Sequence, residues 1–311
     1  MAALLEVILP VFIVLGAGYA AAAFKVFSHS AADGLMEFTQ RFAIPALLFR
    51  AIAGLDLKAD FDTGLLASFY IGVGTAFVLG ALGARYLFAR PPEDCVAIGF
   101  GAFFSNSVLL GLPIMERAYG ADALAPNFML VAFHAPLLYT VGIVTMEIVK
   151  NRGQSLGRRF VWGVIKSLFS NALVIGIMLG FAVNLGGIAL PATLDAATEM
   201  LARAALPAAL FGLGALLHRY RPEGDMRVIA WIGVISLVIH PGITWFFATQ
   251  VFALNTGQIR AAVLTAAMAP GVNTYVFANM FGAAKRVAAS AVLICTGASL
   301  ITAWAWLTIL P

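Results

Sequence analysis

The apolar segment 262–283 is interrupted at its centre by Pro270, Gly271 and Asn273. A helix inside a lipid bilayer must satisfy every backbone N–H and C=O internally, and a Pro-Gly pair breaks that hydrogen-bond ladder. Such a break is tolerated only where it faces protein or a water-filled cavity. The break, with the carboxamides of Asn273 and Asn279 close to it, therefore predicts a binding site near the middle of a membrane.

The chain lacks the polar surface that a soluble protein needs. Its 311 residues are 62% hydrophobic and 11% charged, whereas ordinary globular chains are about 25% charged. We therefore predict an all-α integral membrane protein. Apolar runs of roughly 20 residues indicate about ten spans, at residues 4–24, 34–53, 63–89, 94–119, 126–150, 160–185, 192–217, 227–254, 258–281 and 287–310.

Lysine and arginine are concentrated in alternate loops between these spans. They fall around residues 25, 85–90, 150–166, 219–227 and 285–286, and the other loops hold few of them. Because cytoplasmic loops carry the excess of Lys and Arg, we predict a multi-pass protein of the inner (plasma) membrane with both termini outside the cytoplasm. This topology accounts for the formal net charge of +4, so no nucleic acid partner is expected.

The basic stretch 150–159 divides the chain into two halves of five predicted spans each, residues 1–150 and 151–311. An odd number of spans in each half means that the second half enters from the opposite side, so a structural repeat must be inverted. The second span of each half carries the same pattern, R-x-A-[IL]-P-A-x-L-F. It reads RFAIPALLF at residues 41–49 and RAALPAALF at residues 203–211.

The fourth span is interrupted like the ninth, by Ser105, Asn106, Ser107, Gly111 and Pro113. Interrupted segments at corresponding positions of two inverted halves indicate the binding site of a transporter. The half-helix N-termini at such breaks carry exposed amides and partial positive charge, which suit a carboxylate. The sequence therefore favours an anionic substrate.

Several polar residues have two readings each. Asn106 and Asn273 either contact substrate or tie neighbouring helices together, and the same choice holds for Asn279. His134 stands two residues before Pro136 in the fifth span. Its ring either lines a cavity, as titratable groups inside membranes usually do, or bonds a carbonyl that Pro136 leaves free.

The absence of some motifs restricts the function further. Asp and Glu fall near the predicted span edges, which disfavours cation antiport through a buried carboxylate. The sequence contains no GxxxxGK[ST], HExxH or GxSxG motif, and no Cys/His set has metal-ligand spacing. We expect neither an enzyme nor a metal or cofactor site.

Taken together, three motifs resemble the auxin efflux carrier family, which includes the plant PIN proteins and bacterial relatives often labelled malonate transporters. They are residues 106–114 (NSVLLGLPI), 269–273 (APGVN) and 278–279 (AN). The resemblance extends over nearly the whole chain. It implies an inverted five-plus-five repeat related to the bile acid and sodium/proton transporter folds, with the fourth and ninth helices crossing at Pro113 and Pro270.

The resemblance also implies how the helices divide. Helices 1, 2, 6 and 7 would form a scaffold, through which a homodimer is expected, and helices 3–5 and 8–10 would form a transport domain that moves like an elevator. His134 would occupy the place of the polar residues that family members use in the fifth helix. The plant proteins have a Gln at that place, and this departure argues against plant-like auxin recognition, while auxin-like and malonate-like carboxylates both stay in the expected substrate class.

We therefore expect a secondary transporter of small organic anions, mono- or dicarboxylates, that is uncoupled or proton-linked and lies in the lipid bilayer. The expected substrate-binding residues are Ser105, Asn106, Pro113, His134, Pro270, Asn273 and Asn279. Two alternatives remain open. One is a sodium-coupled organic anion symporter like the bile acid carriers, and the other is a membrane sensor or scaffold that does not transport.

Overall fold

The computed structural model describes residues 4–57, 61–150 and 171–311, and every named element within these ranges is helical. We number the α-helices in chain order. They are α1 (Leu9–Ala23), α2 (His29–Phe38), α3 (Ile44–Ala53), α4 (Thr63–Tyr86), α5 (Pro92–Phe103), α6 (Leu112–Tyr119), α7 (Ala125–Lys150), α8 (Ala172–Leu185), α9 (Ala192–Leu217), α10 (Met226–Val234), α11 (His240–Phe246), α12 (Thr256–Ala266), α13 (Val272–Phe281) and α14 (Lys285–Ile309).

Six helical stretches among the described residues are long and apolar enough to cross a membrane, which confirms a multi-pass, all-helical membrane protein. They correspond to the first, third, fifth, seventh, eighth and tenth predicted spans. The second span is divided by the π-helical turn Thr39–Ala43, and the fourth and ninth are broken. Of the sixth span, α8 is described, whereas residues 151–170 with the basic loop lie outside the described residues. The number of spans therefore stays a prediction.

Polar side chains fix where several helices begin. The side chains of Asp62, Asn171 and Asn255 accept hydrogen bonds from the first-turn amides of α4, α8 and α12. At α12 the cap is reciprocal, because Gln258 also accepts a hydrogen bond from the Asn255 amide (3.2 Å). Such caps satisfy backbone donors that have no partner within the helix.

Glycines allow α1 and α9 to pack with their backbones in contact. A Cβ atom on Gly18 would lie 2.0 Å from the Phe211 carbonyl oxygen, and one on Gly214 would lie 1.8 Å from the Leu15 carbonyl oxygen. Small residues commonly permit this close approach of membrane helices. Here any larger residue would push the two helices apart.

Helices α3 and α8 also pack with their backbones in close contact at a glycine. A Cβ atom on Gly180 would lie 2.8 Å from the Phe49 carbonyl oxygen. Phe49 and Phe211 occupy the same position in the repeated pattern of α3 and α9. Helices α1 and α8, which follow the start of each predicted half, thus pack on α9 and α3. The inverted repeat itself stays a prediction.

The repeated pattern is longer than its proline-containing part. Asp33 and Glu37 precede Arg41 at the same spacing at which Asp195 and Glu199 precede Arg203. Each Asp is bound by an arginine from the other of these two segments: Arg50 of α3 binds Asp195 of α9, and Arg219, just past the end of α9, binds Asp33 of α2. The bonds run from Arg50 Nη1 to Asp195 Oδ1 (2.5 Å) and from Arg219 Nη1 to Asp33 Oδ1 (2.8 Å).

Substituting Gly18 by Ala is expected to destabilise the α1–α9 contact. Overpacking of this kind costs about 1–3 kcal/mol, so the melting temperature in detergent should fall by several degrees. Gly16→Ala is the matched control, because a Cβ atom on Gly16 would meet nothing within 4 Å and Ala favours a helix over Gly. Equal melting temperatures for the two variants would contradict this packing.

Candidate functional site

The fourth and ninth segments meet where both lose their helical structure. The Asn106 amide donates to the Ala269 carbonyl oxygen (2.8 Å), and the Gly271 amide donates to the Phe104 carbonyl oxygen (2.8 Å). These bonds form an antiparallel bridge between Ser105 and Pro270. Backbone groups that each break removes from its own helix are therefore satisfied by the other break, which is the condition for such breaks inside a membrane.

The crossing lies at Ser105 in the fourth segment and not at Pro113, where the family resemblance places it. Pro113 is the second residue of α6. The chain is already helical before this residue, because the π-helical turn Ser107–Gly111 runs directly into α6 and Gly111 and Leu112 have helical φ and ψ angles. Pro113 therefore lies within a helical run and not at a break. The break is instead made by residues 104–106. The Ala269 carbonyl, expected to be free before Pro270, accepts the Asn106 amide.

A cavity of about 200 Å³ lies beside the crossing. Four of the sequence-predicted residues line it: Ser105, Asn106, His134 and Asn273. Three do not. Pro270 is buried in the crossing itself, Pro113 lines a second cavity, and Asn279 is exposed on α13. Other lining residues come from the second, fifth and sixth predicted spans and include Gln40, Arg41, Ile44, Leu48, Val131, Tyr139, Asn171 and Ile177.

Three buried hydrogen-bonding atoms of residues that line this cavity have no partner among the described residues. They are the Nδ2 atom of Asn106, the Oγ atom of Ser105 and the Nδ1 atom of His134, whose residues are 5%, 3% and 3% exposed. Leaving a buried donor unsatisfied costs free energy, and an acceptor from a bound ligand removes that cost. The crossing therefore holds unsatisfied hydrogen-bonding groups on residues that line the cavity.

Two helix starts also face this cavity. The π-helical turn Ser107–Gly111 and helix α13 both begin at the crossing, and no side chain caps either of them. Ser107 and Val108 line the cavity at the first start, and Val272 and Asn273 line it at the second. Uncapped helix starts offer backbone amides and the positive end of the helix dipole. The local electrostatics therefore favour an anion.

The buried imidazole of His134 connects α7 to the crossing. Its Nε2 atom lies 3.3 Å from the Ser105 carbonyl oxygen, so its polar contact is with another segment rather than with a carbonyl freed by Pro136. The ring stands edge-on to Phe104 at 5.0 Å. The ring of Phe69 contacts both His134 and a second histidine, His240. The ring nitrogens of His240 have no partner among the described residues. His134 lines the cavity, whereas His240 is packed behind it.

Sequence reasoning missed Arg41 as a site residue. Arg41 entered only as the first residue of the repeated pattern, but the structure places it in the lining of the cavity. Arg41 forms an ion pair with Glu37 on the same helix (3.3 Å). The signal that could have indicated it is the repeated spacing of Glu37 and Arg41 in Glu199 and Arg203.

Comparisons with known proteins agree over the length of the chain. A family model described as "Membrane transport protein" matches residues 3–307. The chain is 25% identical over 309 residues to the "Putative malonate transporter" of Rhizobium meliloti (strain 1021), covering 97% of this chain and 94% of that protein. It is 22% identical over 304 residues to the "Uncharacterized transporter YfdV" of Escherichia coli (strain K12), covering 96% and 95%.

A shorter similarity links the chain to the "Lysosomal cholesterol signaling protein" of Mus musculus. The two are 28% identical over 178 residues, which cover 54% of this chain and 20% of the mouse protein.

Proposed function

The chain belongs to the membrane transport protein family, and from that premise we propose that it is a secondary transporter of small organic anions, mono- or dicarboxylates. The substrate carboxylate binds at the crossing of the two broken segments. Asn106 and Ser105 donate hydrogen bonds to it, Asn273 contacts it from the start of α13, and His134 lines the cavity or carries a proton.

The observation that supports this proposal most directly is the pair of unpartnered donors, Asn106 Nδ2 and Ser105 Oγ, beside two uncapped helix starts. A carboxylate supplies acceptors to both donors and carries the charge that the helix starts attract. The Rhizobium meliloti relative carries the name "Putative malonate transporter", and malonate is a dicarboxylate. Its similarity over nearly the full length of both chains supports the same substrate class here.

The positions of the two cavities support movement of the elevator type. The crossing lines the first cavity, while the second, of about 570 Å³, is lined by α6 and by residues of α1, α3, α7 and α9. With both termini outside the cytoplasm, the first cavity lies on the cytoplasmic side. Movement of helices α4–α7 and α10–α14 against α1–α3, α8 and α9 would carry the crossing towards the second cavity.

Transport can run outward without an ion gradient. With the cell interior negative, an unaccompanied anion is driven out by about 2.3 kcal/mol per charge per 100 mV. Uptake needs a coupled cation, and in this proposal a proton fills that role. In the sodium-coupled alternative, Asn and Ser oxygens and backbone carbonyls hold sodium. That alternative predicts flux that requires sodium.

Tracer flux in liposomes tests the proposal. The purified protein should carry labelled malonate or another carboxylate with saturable kinetics, and flux should depend on voltage or pH but not on sodium. Flux that requires sodium would replace this mechanism by sodium symport. If no carboxylate is carried and none raises the melting temperature, the transporter proposal is wrong. The sensor reading, for which the similarity to the mouse signaling protein is the relevant observation, would then take its place.

A further inference from the structure

We propose that Arg41 and Arg203 capture the substrate carboxylate alternately, each in the cavity on its own side of the membrane. Glu37 and Glu199 hold the two guanidinium groups when no anion is present. This inference rests on the proposed function and adds to it two binding residues outside the crossing.

The first observation is that the two cavities are equivalent places in the repeat. Arg41 lines the first cavity and Arg203 lines the second, and the two residues hold the same position in the repeated pattern. The neighbouring lining residues also correspond in order: Gln40, Ile44 and Leu48 at the first cavity, and Ala202, Leu206 and Leu210 at the second. The same helix face therefore lines a cavity in each half.

The second observation is the state of the two guanidinium groups. Each is paired with the glutamate four residues earlier, Arg41 with Glu37 (3.3 Å) and Arg203 with Glu199. The arginine side chains nevertheless remain 68% and 78% exposed. An exposed pair of this kind is weak, and a guanidinium has five N–H donors. A substrate carboxylate can therefore displace or join the glutamate, with the bidentate geometry that arginine favours.

Two other arginines line the second cavity but are engaged elsewhere. Arg50 is only 25% exposed and binds Asp195. Arg117 donates to the backbone oxygen of Glu6 (2.7 Å). These bonds hold helices to one another. Glu199 takes part as well, because one of its carboxylate oxygens lies 3.9 Å from Arg50 Nη2. The Arg203 guanidinium itself pairs with Glu199 of its own helix. Arg203 is thus the cation of this cavity that can change partner at least structural cost.

The proposed sequence of contacts follows from these positions. In the described structure the crossing faces the cavity of Arg41. An anion that leaves Asn106 towards the cytoplasm would meet Arg41, and one that leaves after the crossing has moved would meet Arg203. Each arginine would then set the apparent affinity at one face of the membrane.

The test measures the malonate KM separately at each face, in liposomes that contain the protein in one orientation. Arg41→Gln should raise KM about tenfold at the cytoplasmic face, because a charge-assisted hydrogen bond is lost, and leave KM at the other face within about twofold. Arg203→Gln should do the reverse. Glu37→Gln should lower KM at the cytoplasmic face about threefold, since it removes the competing carboxylate.

Controls separate charge, folding and function. Lys25→Gln removes one positive charge from an exposed position outside both cavities and should change neither KM. Arg41→Lys and Arg203→Lys keep the charge without the bidentate geometry and should give intermediate KM values, which supplies a measurement if a Gln variant does not fold.

If each substitution changes KM equally at both faces, or at neither, the inference is wrong although wild-type flux stands. If the wild type carries no carboxylate, the proposed function fails and the inference fails with it.

Discussion

Asn106→Ala is expected to lower carboxylate transport by about 100-fold while the melting temperature stays nearly unchanged. A hydrogen bond to a charged group contributes about 1.5–3 kcal/mol, and loss of contacts that position the substrate adds to this. The Nδ2 atom of Asn106 has no partner among the described residues, so the substitution removes no internal hydrogen bond made by that atom. Asn273→Ala should also lower carboxylate transport, because Asn273 lines the cavity at the start of α13. Flux measured in liposomes and melting in detergent check both expectations.

Asn127 provides a matched control for Asn106. It is equally buried, but its Nδ2 atom donates to Thr265 Oγ1 (2.9 Å), and it does not line the cavity. Asn127→Ala should therefore lower the melting temperature and leave the malonate KM of the folded protein unchanged. If Asn106→Ala instead lowers stability and keeps wild-type affinity, then Asn106 ties helices together and does not bind substrate.

Phe277→Ala is expected to reduce the free energy of unfolding by about 3–5 kcal/mol, the usual cost of truncating a buried aromatic residue. Phe277 of α13 and Phe100 of α5 are fully buried. Their rings are stacked, with centroids 4.0 Å apart and planes at 3° to each other. This stack joins the two broken segments at a distance from the backbone bridge, so its loss should also loosen the crossing.

Phe246 is the control for that substitution. It belongs to α11 and is 51% exposed in the structure, where lipid would surround it. Phe246→Ala should shift the melting temperature by at most a small fraction of the Phe277→Ala shift. Similar shifts for both variants would contradict the assignment of the aromatic stack as a main support of the crossing.

The sequence predicted those parts of the site that depend on local chemistry. Asn106, Asn273 and His134 stand out because polar groups in an apolar span are costly, and the structure places all three around one cavity. The break in the ninth segment is equally local, because the Pro270-Gly271 pair interrupts the backbone ladder. The all-helical membrane class followed from composition and from the length of the apolar runs.

Which helices and segments contact each other in the folded protein could not be predicted from the sequence. A proline does not reveal whether a helix breaks at it or continues through it. The family resemblance placed the crossing at Pro113, whereas the Asn106 amide makes that bridge. Asn279 carries the same side chain as Asn273, but the rotation of α13 leaves it exposed. The role of Arg41 at the cavity depends on how the second and sixth predicted spans pack, which no spacing in the sequence specifies.

The central claim is that a carboxylate binds at the crossing, and a distance measurement by solid-state NMR tests it most directly. The experiment uses ¹³C-carboxyl malonate bound to protein labelled with ¹⁵N in its asparagine side chains. We predict dipolar coupling that corresponds to a carbon-to-nitrogen distance of about 3.5–4 Å, as expected for a hydrogen bond from an amide nitrogen to a carboxylate oxygen. The coupling should disappear in the Asn106→Ala, Asn273→Ala double variant. Bound malonate that shows no such coupling in the wild type, or an unchanged coupling in the double variant, would contradict the account.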